Sequence, residues 1–174
     1  MITSNRQIFL HGSLGVKQFK EVLSNLLIGL ILCPDDIWLV SPWVTDFQLL
    51  DNRAGDWNCI QPAWGARQVN LSELLMLAVD SGCKLHLVTT RDEINESFVK
   101  KMLGGIQGSE NFNLFYSKEL HTKGLLCSSF FLHGSMNFTY SGANRNDEHA
   151  QLITNVSSIL EAKLEFEDRY NARP

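Results

Sequence analysis

Residues 37–44, IWLVSPWV, constrain this chain most. The segment is rich in β-branched and aromatic residues but lacks apolar/polar alternation, the pattern of a strand covered on both faces. Such a strand needs other elements on each side of its sheet, and helical patterns flank it in the sequence. Upstream, residues 16–32 place Phe19, Val22, Leu23, Leu26, Leu27 and Leu30 at three- and four-residue intervals, the period of a helix with a broad apolar face, and Pro34 follows its end. Pro42 marks the strand's exit.

Downstream the alternation repeats. A helix is predicted over 72–81, with Ser72 as its cap and Gly82 as its stop, then a strand over 84–89 (KLHLVT) and a helix over 94–103 ending at Gly104-Gly105. Further strands are predicted at 112–116, 121–127 and 130–132, and a terminal helix over 157–170 should turn Leu160, Leu164 and Phe166 toward a core. Residues 51–68 carry Gly, Pro, Trp and Asn without a period and read as a long irregular connection, a kind of segment that is often functional. Strand, helix, strand, helix and then a cluster of strands define an α/β sandwich, a mixed β-sheet flanked by helices. No repeat or linker interrupts it, so residues 1–174 are expected to form a single domain, long enough to bury roughly 70% of the unfolded surface.

Composition narrows the function. The formal net charge is −4 and the pI about 5.7, so no global positive field draws polyanions, and any site for them must be local. Cys33, Cys59, Cys83 and Cys127 include no C-x-x-C pair and read as free buried thiols, not zinc ligands. The start, MITSNRQIFLHGS, lacks a basic region followed by an apolar run, so the expected location is the cytoplasm. Residues 22–32 are too short to cross a bilayer, and no membrane partner is expected.

The chemistry concentrates in 119–149, ELHTKGLLCSSFFLHGSMNFTYSGANRNDEH. On a strand, His121 and Lys123 would share a face and present an imidazole beside an ammonium. Gly134-Ser135 allows close approach of backbone to a ligand, Ser135 and Asn137 add a hydroxyl and an amide for anionic oxygens, and Glu148 could orient the imidazole by accepting its second N–H. A nucleophile, a cation, neutral donors and an orienting carboxylate suit phosphoryl transfer.

The strings H-T-K at 121–123, G-S-M-N at 134–137 and N-D-E at 146–148 together resemble the HKD motif of the phospholipase D superfamily, and IWLVSPWVTD and SGCKLHLVTT resemble the units that precede it, over residues 37–154. The resemblance implies a phospholipase D-like sandwich and a metal-independent phosphodiesterase needing no cofactor. His121 would form a phosphohistidine, Lys123, Ser135 and Asn137 would bind phosphate, and Glu148 would orient His121. A second histidine protonates the leaving oxygen, yet His11, His86, His133 and His149 lie outside any H-x-K. The family's remedy in short single-motif chains is a homodimer that pairs the motifs. The sequence departs in one respect: Ser128 stands where the motif aspartate is expected, five residues after Lys123, and the interval to Gly134 is one residue short of the commonest.

Alone, each residue has an ordinary reading: His121 a satisfied histidine, Lys123 a solvated strand lysine, Ser135 and Asn137 turn residues, Glu148 a surface carboxylate. His133 and His149 read as structural. Trp43, Trp57 and Trp64 with Arg53 and Arg67 suit an aromatic and basic lip, but core anchors are the simpler assignment. The leading function is a small nuclease acting on DNA or RNA, of the kind found in bacterial DNA-modification or phage-defence systems with other protein subunits. The alternatives are a binding-only subunit that kept the phosphate pocket, motivated by Ser128, and a phospholipase or phosphatidyl transferase.

Overall fold

The computed structural model describes residues 5–171 apart from Gln107 and Asn146, so the asparagine of the N-D-E string lies outside the described residues. The strands are β1 (Asn5–Phe9), β2 (Asp36–Val40), β3 (Gln48–Asp51), β4 (Gln68–Asn70), β5 (Lys84–Thr89), β6 (Phe112–Tyr116), β7 (Gly124–Leu126), β8 (Phe131–Gly134) and β9 (His149–Ile153). The helices are α1 (Gly12–Leu32), α2 (Leu71–Asp80), α3 (Glu93–Gly105), α4 (Tyr140–Asn144) and α5 (Val156–Phe166), the last continuing into a π-helical turn, Glu167–Asn171. Seven strands form one mixed sheet in the order β1-β9-β8-β7-β2-β5-β6, and β3 pairs with β4 in a separate ribbon. Strands β1, β2, β5, β6 and β8 run one way, β7 and β9 the other.

β2 is covered on both faces, as its composition requires. Ile37 and Leu39 pack with Phe19, Leu23 and Leu27 of α1, Leu74 and Leu75 of α2 and Phe98 of α3. Trp38 and Val40 point the other way, to Ile159, Phe166 and Tyr170. There Trp38 stacks on His86 at 4.2 Å between centroids and meets the Phe166 ring edge at 6.2 Å. Burial lowers the pKa of His86, which suits a neutral ring against Trp38.

Several boundaries differ from the sequence reading for identifiable reasons. α1 begins at Gly12, four residues before 16, and β2 stops at Val40, because Ser41 turns its hydroxyl onto the Trp43 carbonyl (2.7 Å) and Pro42 donates no N–H. Asn70, not Ser72, caps α2 through a capping box with Glu73, while Ser72 bonds Asp46 through its N–H (3.0 Å) and hydroxyl (2.8 Å). Regular structure in 121–127 is confined to Gly124–Leu126, since β2 offers no partner beyond Val40 opposite Gly124. The strand expected at 130–132 is β8, displaced toward Gly134.

The terminal helix turns Phe166 inward as expected, but not the two leucines. Leu160 and Leu164 are 55% and 67% exposed, while Ile159, Phe166 and Tyr170 are buried. Burying an Ile or Phe stabilises by about 1.5–3 kcal/mol each, and the aromatic cluster around Trp38 offers these residues more than it could offer two leucines. The thiols also divide: Cys83 and Cys127 are buried, Cys33 and Cys59 exposed. No helix among the described residues is long and apolar enough to cross a membrane.

The Asn52 side chain ties together the connection after β3, beside a series of backbone turns. Asn52, fully buried, donates to the Gly65 carbonyl (2.6 Å) and Asn58 Oδ1 (2.8 Å) and accepts the Trp57 N–H (2.7 Å), while β3 and β4 close the ends in register Leu50↔Val69. Trp64 is buried and Trp57 packs against the core, as anchors should. Arg53 and Arg67 are spoken for by Asp51 (2.7 Å) and Glu73 (2.6 Å). The lip therefore does not form, and Trp43, 46% exposed, departs from the anchor assignment.

Candidate active site

The motif gathers at one end of the sheet. There β2 and β5 finish, β7 and β9 begin, and β8 turns out at Gly134, the carboxyl-end location where open α/β sheets bind ligands. His121, Lys123 and Asn137 line one cleft of about 510 Å³, together with Trp43, Arg91 and Lys118 among others. A larger cleft, about 1080 Å³, lies between α1 and the β3–β4 ribbon, but none of the five motif side chains lines it.

His121 and Lys123 sit just ahead of β7, off the ladder, so strand alternation is not what brings them together. The Lys123 ammonium donates to the His121 carbonyl oxygen at 2.8 Å, which closes the H-T-K segment on itself. The imidazole is exposed, and Lys123 is half-buried. Asn137 arrives from beyond β8, with its Oδ1 3.4 Å from the Ser41 hydroxyl, which also accepts the Phe138 N–H at 3.3 Å.

Ser135 and Glu148 form a separate unit on the β8–β9 rim. The Ser135 hydroxyl donates to Glu148 Oε2 and accepts the His149 N–H at 3.0 Å, and the Ser135 N–H is bound to the His149 carbonyl (3.1 Å). Both Ser135 donors are thus engaged, so the hydroxyl must turn away from Glu148 before it can donate to an anion. Among the described residues no hydrogen bond joins Glu148 to the His121 ring. Gly134 serves the sheet and not a ligand: a Cβ there would collide with the His149 carbonyl oxygen across the β8–β9 ladder. His149 is exposed, and His133 stacks on Phe131 at 4.5 Å with its pKa lowered by burial first and by His149 second.

Residues that sequence reasoning passed over brace the cleft from behind. The Pro42 carbonyl accepts from Thr89 Oγ1 (3.1 Å), Thr90 Oγ1 (2.8 Å) and Asn95 Nδ2 (2.9 Å), and Asn95 Oδ1 takes the Val44 N–H at 2.8 Å. Asn95 is 1% exposed and ties the exits of β2 and β5 to the first turn of α3. Trp43 is fixed at the rim by its indole N–H on Asp92 (3.2 Å). The signal in the sequence is an Asn placed at the start of a helix just after a strand.

Ser128 lies at the opposite end of β7 from Lys123, away from the cleft. Its N–H (2.8 Å) and hydroxyl both donate to Asp35 Oδ2, so a carboxylate from the turn before β2 stands beside the position where the motif's own aspartate is missing. Burial pushes the Asp35 carboxyl up, but the Ser128 hydroxyl and amide, the Asp36 amide and Lys163 together hold it below its ordinary value. A lowered folded-state pKa gives stability that is present above the ordinary carboxylate range and lost as pH falls through and below it. Asp35→Asn is therefore expected to cost about 1 kcal/mol at neutral pH, the scale of a partly exposed charged hydrogen bond, and progressively less as pH falls through and below the ordinary carboxylate range. Urea unfolding of both proteins across a series of falling pH values tests this, and a cost that stays constant into acid would mean the carboxylate's charge is irrelevant.

A sandwich of this topology, with imidazole, ammonium and amide converging at the strand ends, is a phospholipase D-like domain. The sequence model described as the cardiolipin synthase, PLD-like domain matches residues 58–170, more than half of the chain, and the chain belongs to this phospholipase D-like family. Solved structures agree on the fold. NucT from Helicobacter pylori superposes with a TM-score of 0.62 at 14% identity, over 94% of this chain and 93% of that one. Nuc from Salmonella typhimurium, a phospholipase D family member, gives 0.59 at 17% identity, over 95% and 93%. An archaeal chromatin protein, TrmBL2, gives 0.59 at 14% identity, over 95% of this chain and 51% of its own. No curated protein matches by sequence.

Proposed function

We propose that this chain is a nucleic-acid phosphodiesterase that works through a phosphohistidine at His121, with one catalytic centre shared by two copies. The observation that carries the reading is the convergence of His121, Lys123 and Asn137 on one cleft at the strand ends of a phospholipase D-like domain. NucT and Nuc, each matched over 93% of its length, support a nuclease over a lipid enzyme.

One imidazole nitrogen of His121 attacks phosphorus, a P–N bond forms, and the P–O bond to the leaving alcohol breaks. A second imidazole gives that oxygen its proton, then removes a proton from water as the water oxygen displaces His121 from phosphorus. Lys123 and the Asn137 amide offset the charge developing on the equatorial oxygens, and Ser135 joins them when its hydroxyl turns from Glu148. His121 is the one histidine among the described residues that lines the cleft, which supports drawing the acid from a second copy across a two-fold axis. Ser128 lies far from these groups, which favours turnover over the binding-only reading.

Hydrolysis is expected to persist in EDTA, because an ammonium and an amide supply the charge stabilisation that a metal would otherwise provide. Labelled single- and double-stranded DNA and RNA, and the small diester bis(p-nitrophenyl) phosphate, would be assayed with chelator and with added magnesium. Strict dependence on magnesium counts against the phosphohistidine route.

A further inference from the structure

The catalytic cleft continues sideways. A second cleft, about 900 Å³, shares Arg91 and Lys118 with it and runs past Tyr116 to Arg169. Its wall includes β6, one of the sheet's two edge strands, and its floor is apolar, with Val88 and Phe115. The Arg91 guanidinium lies over the Tyr116 ring, 4.3 Å from its centroid, and Tyr116 as a residue is 41% exposed. Neither Arg91 nor Lys118 forms an ion pair with a carboxylate among the described residues; Arg169 lies 3.8 Å from Glu165. In the catalytic cleft Asp92 is occupied by the Trp43 indole and the α3 cap, which leaves Glu119 as the acid in the side groove. On a protein of net charge −4, Arg91, Lys118 and Lys123, none of them ion-paired among the described residues, thus outnumber Asp92 and Glu119 and form a short cationic track that starts at the reacting centre.

We propose that this groove seats the single strand of nucleic acid leading away from the scissile phosphate: Arg91 and Lys118 take successive phosphates, and one unpaired base stacks on the Arg91–Tyr116 pair. The inference rests on the nuclease reading above and adds the strandedness of the substrate and the residues that select it. A flat guanidinium on an exposed aromatic ring offers a stacking surface to any base, but only a base out of a duplex presents its face. Two cations at the junction of the clefts place backbone charge where the strand leaves the centre.

The test uses the full chain in EDTA. Binding of a short labelled single strand, DNA and RNA in separate arms, and of the matching duplex, would be followed by fluorescence anisotropy against salt. Cleavage of the same strand is compared with hydrolysis of bis(p-nitrophenyl) phosphate, which has no further nucleotides for the side groove to hold. Tyr116→Ala is expected to weaken single-strand binding about tenfold or more, with Tyr116→Phe close to wild type, because stacking needs the ring and not the hydroxyl. Its loss on the oligonucleotide should exceed its loss on the small diester by the same factor. Arg91→Ala with Lys118→Ala should flatten the salt dependence by about 1.4 in the log–log slope, two contacts at roughly 0.7 each. Equal losses on both substrates, unaltered single-strand binding by Tyr116→Ala, or duplex bound as tightly as single strand would each overturn the groove. Failure of the wild type to hydrolyse either substrate would defeat the nuclease reading instead, and the binding arms would still decide whether the groove holds a strand.

Discussion

Lys123→Ala should lower turnover at least about a hundredfold, the scale of removing one charge stabiliser from a transition state, while costing about 1 kcal/mol of fold stability. The asymmetry comes from what the ammonium does in the resting protein. It makes one hydrogen bond, to the His121 carbonyl at 2.8 Å, and has no carboxylate partner among the described residues, so truncation leaves no buried charge behind. In the transition state the phosphoryl oxygens carry additional negative charge, and no other cation in the H-T-K segment can meet it. Lys123→Arg should recover part of the rate, since charge returns but the guanidinium is larger and planar. Steady-state rates beside thermal melts separate the two effects. Normal turnover with a lowered melting temperature would make Lys123 a structural residue.

The fold was legible wherever burial left a pattern. β5 and β6 lie at the predicted 84–89 and 112–116 because β5 is buried from Leu85 to Thr89 and β6, though at an edge, packs Phe112, Leu114 and Phe115 against the core. β1 and β9 went unseen because they pair with each other at a sheet edge and carry mostly polar or exposed positions; of NRQIF only Ile8 is buried. α5 shows that periodicity fixes a helix but not its phase: Leu160 and Ile159 are neighbours in sequence, and an aromatic cluster assembled from β2, β5 and the chain's end decides between them. The site divides similarly. The histidine, lysine and amide were readable as a motif, but Thr90, Arg91 and Asp92 reach the cleft only because β2 and β5 pair in parallel and end together. Nothing local to Ser128 announces that Asp35, 93 residues away in the chain, receives both its donors.

His121→Asn should abolish turnover, and mixing it with wild type should show how many copies one centre needs. The variant keeps an amide at the position but has no nitrogen lone pair able to attack phosphorus, and loss of a nucleophile costs on the order of 10⁴-fold or more. Because His121 is exposed and its ring makes no hydrogen bond among the described residues, the fold should tolerate the change. If the centre lies on a two-fold axis, one copy's His121 is the nucleophile and the other's is the acid, so a mixed dimer lacks one role. After subunits are exchanged fully by unfolding and refolding, activity on a DNA phosphodiester should follow the square of the wild-type fraction, about one quarter at equal mixing, from the arithmetic of an isologous pair. Independent sites would give one half. A DNA phosphodiester is the right substrate because its poor leaving group needs the acid, whereas a nitrophenol leaves without one and lets a mixed dimer form the phosphohistidine. A linear response, or a monomer by light scattering that still cleaves DNA, would move the acid into the chain itself. His149, exposed beside Ser135, and His133, which lines a small gap beside Lys123, would then be the residues to replace next.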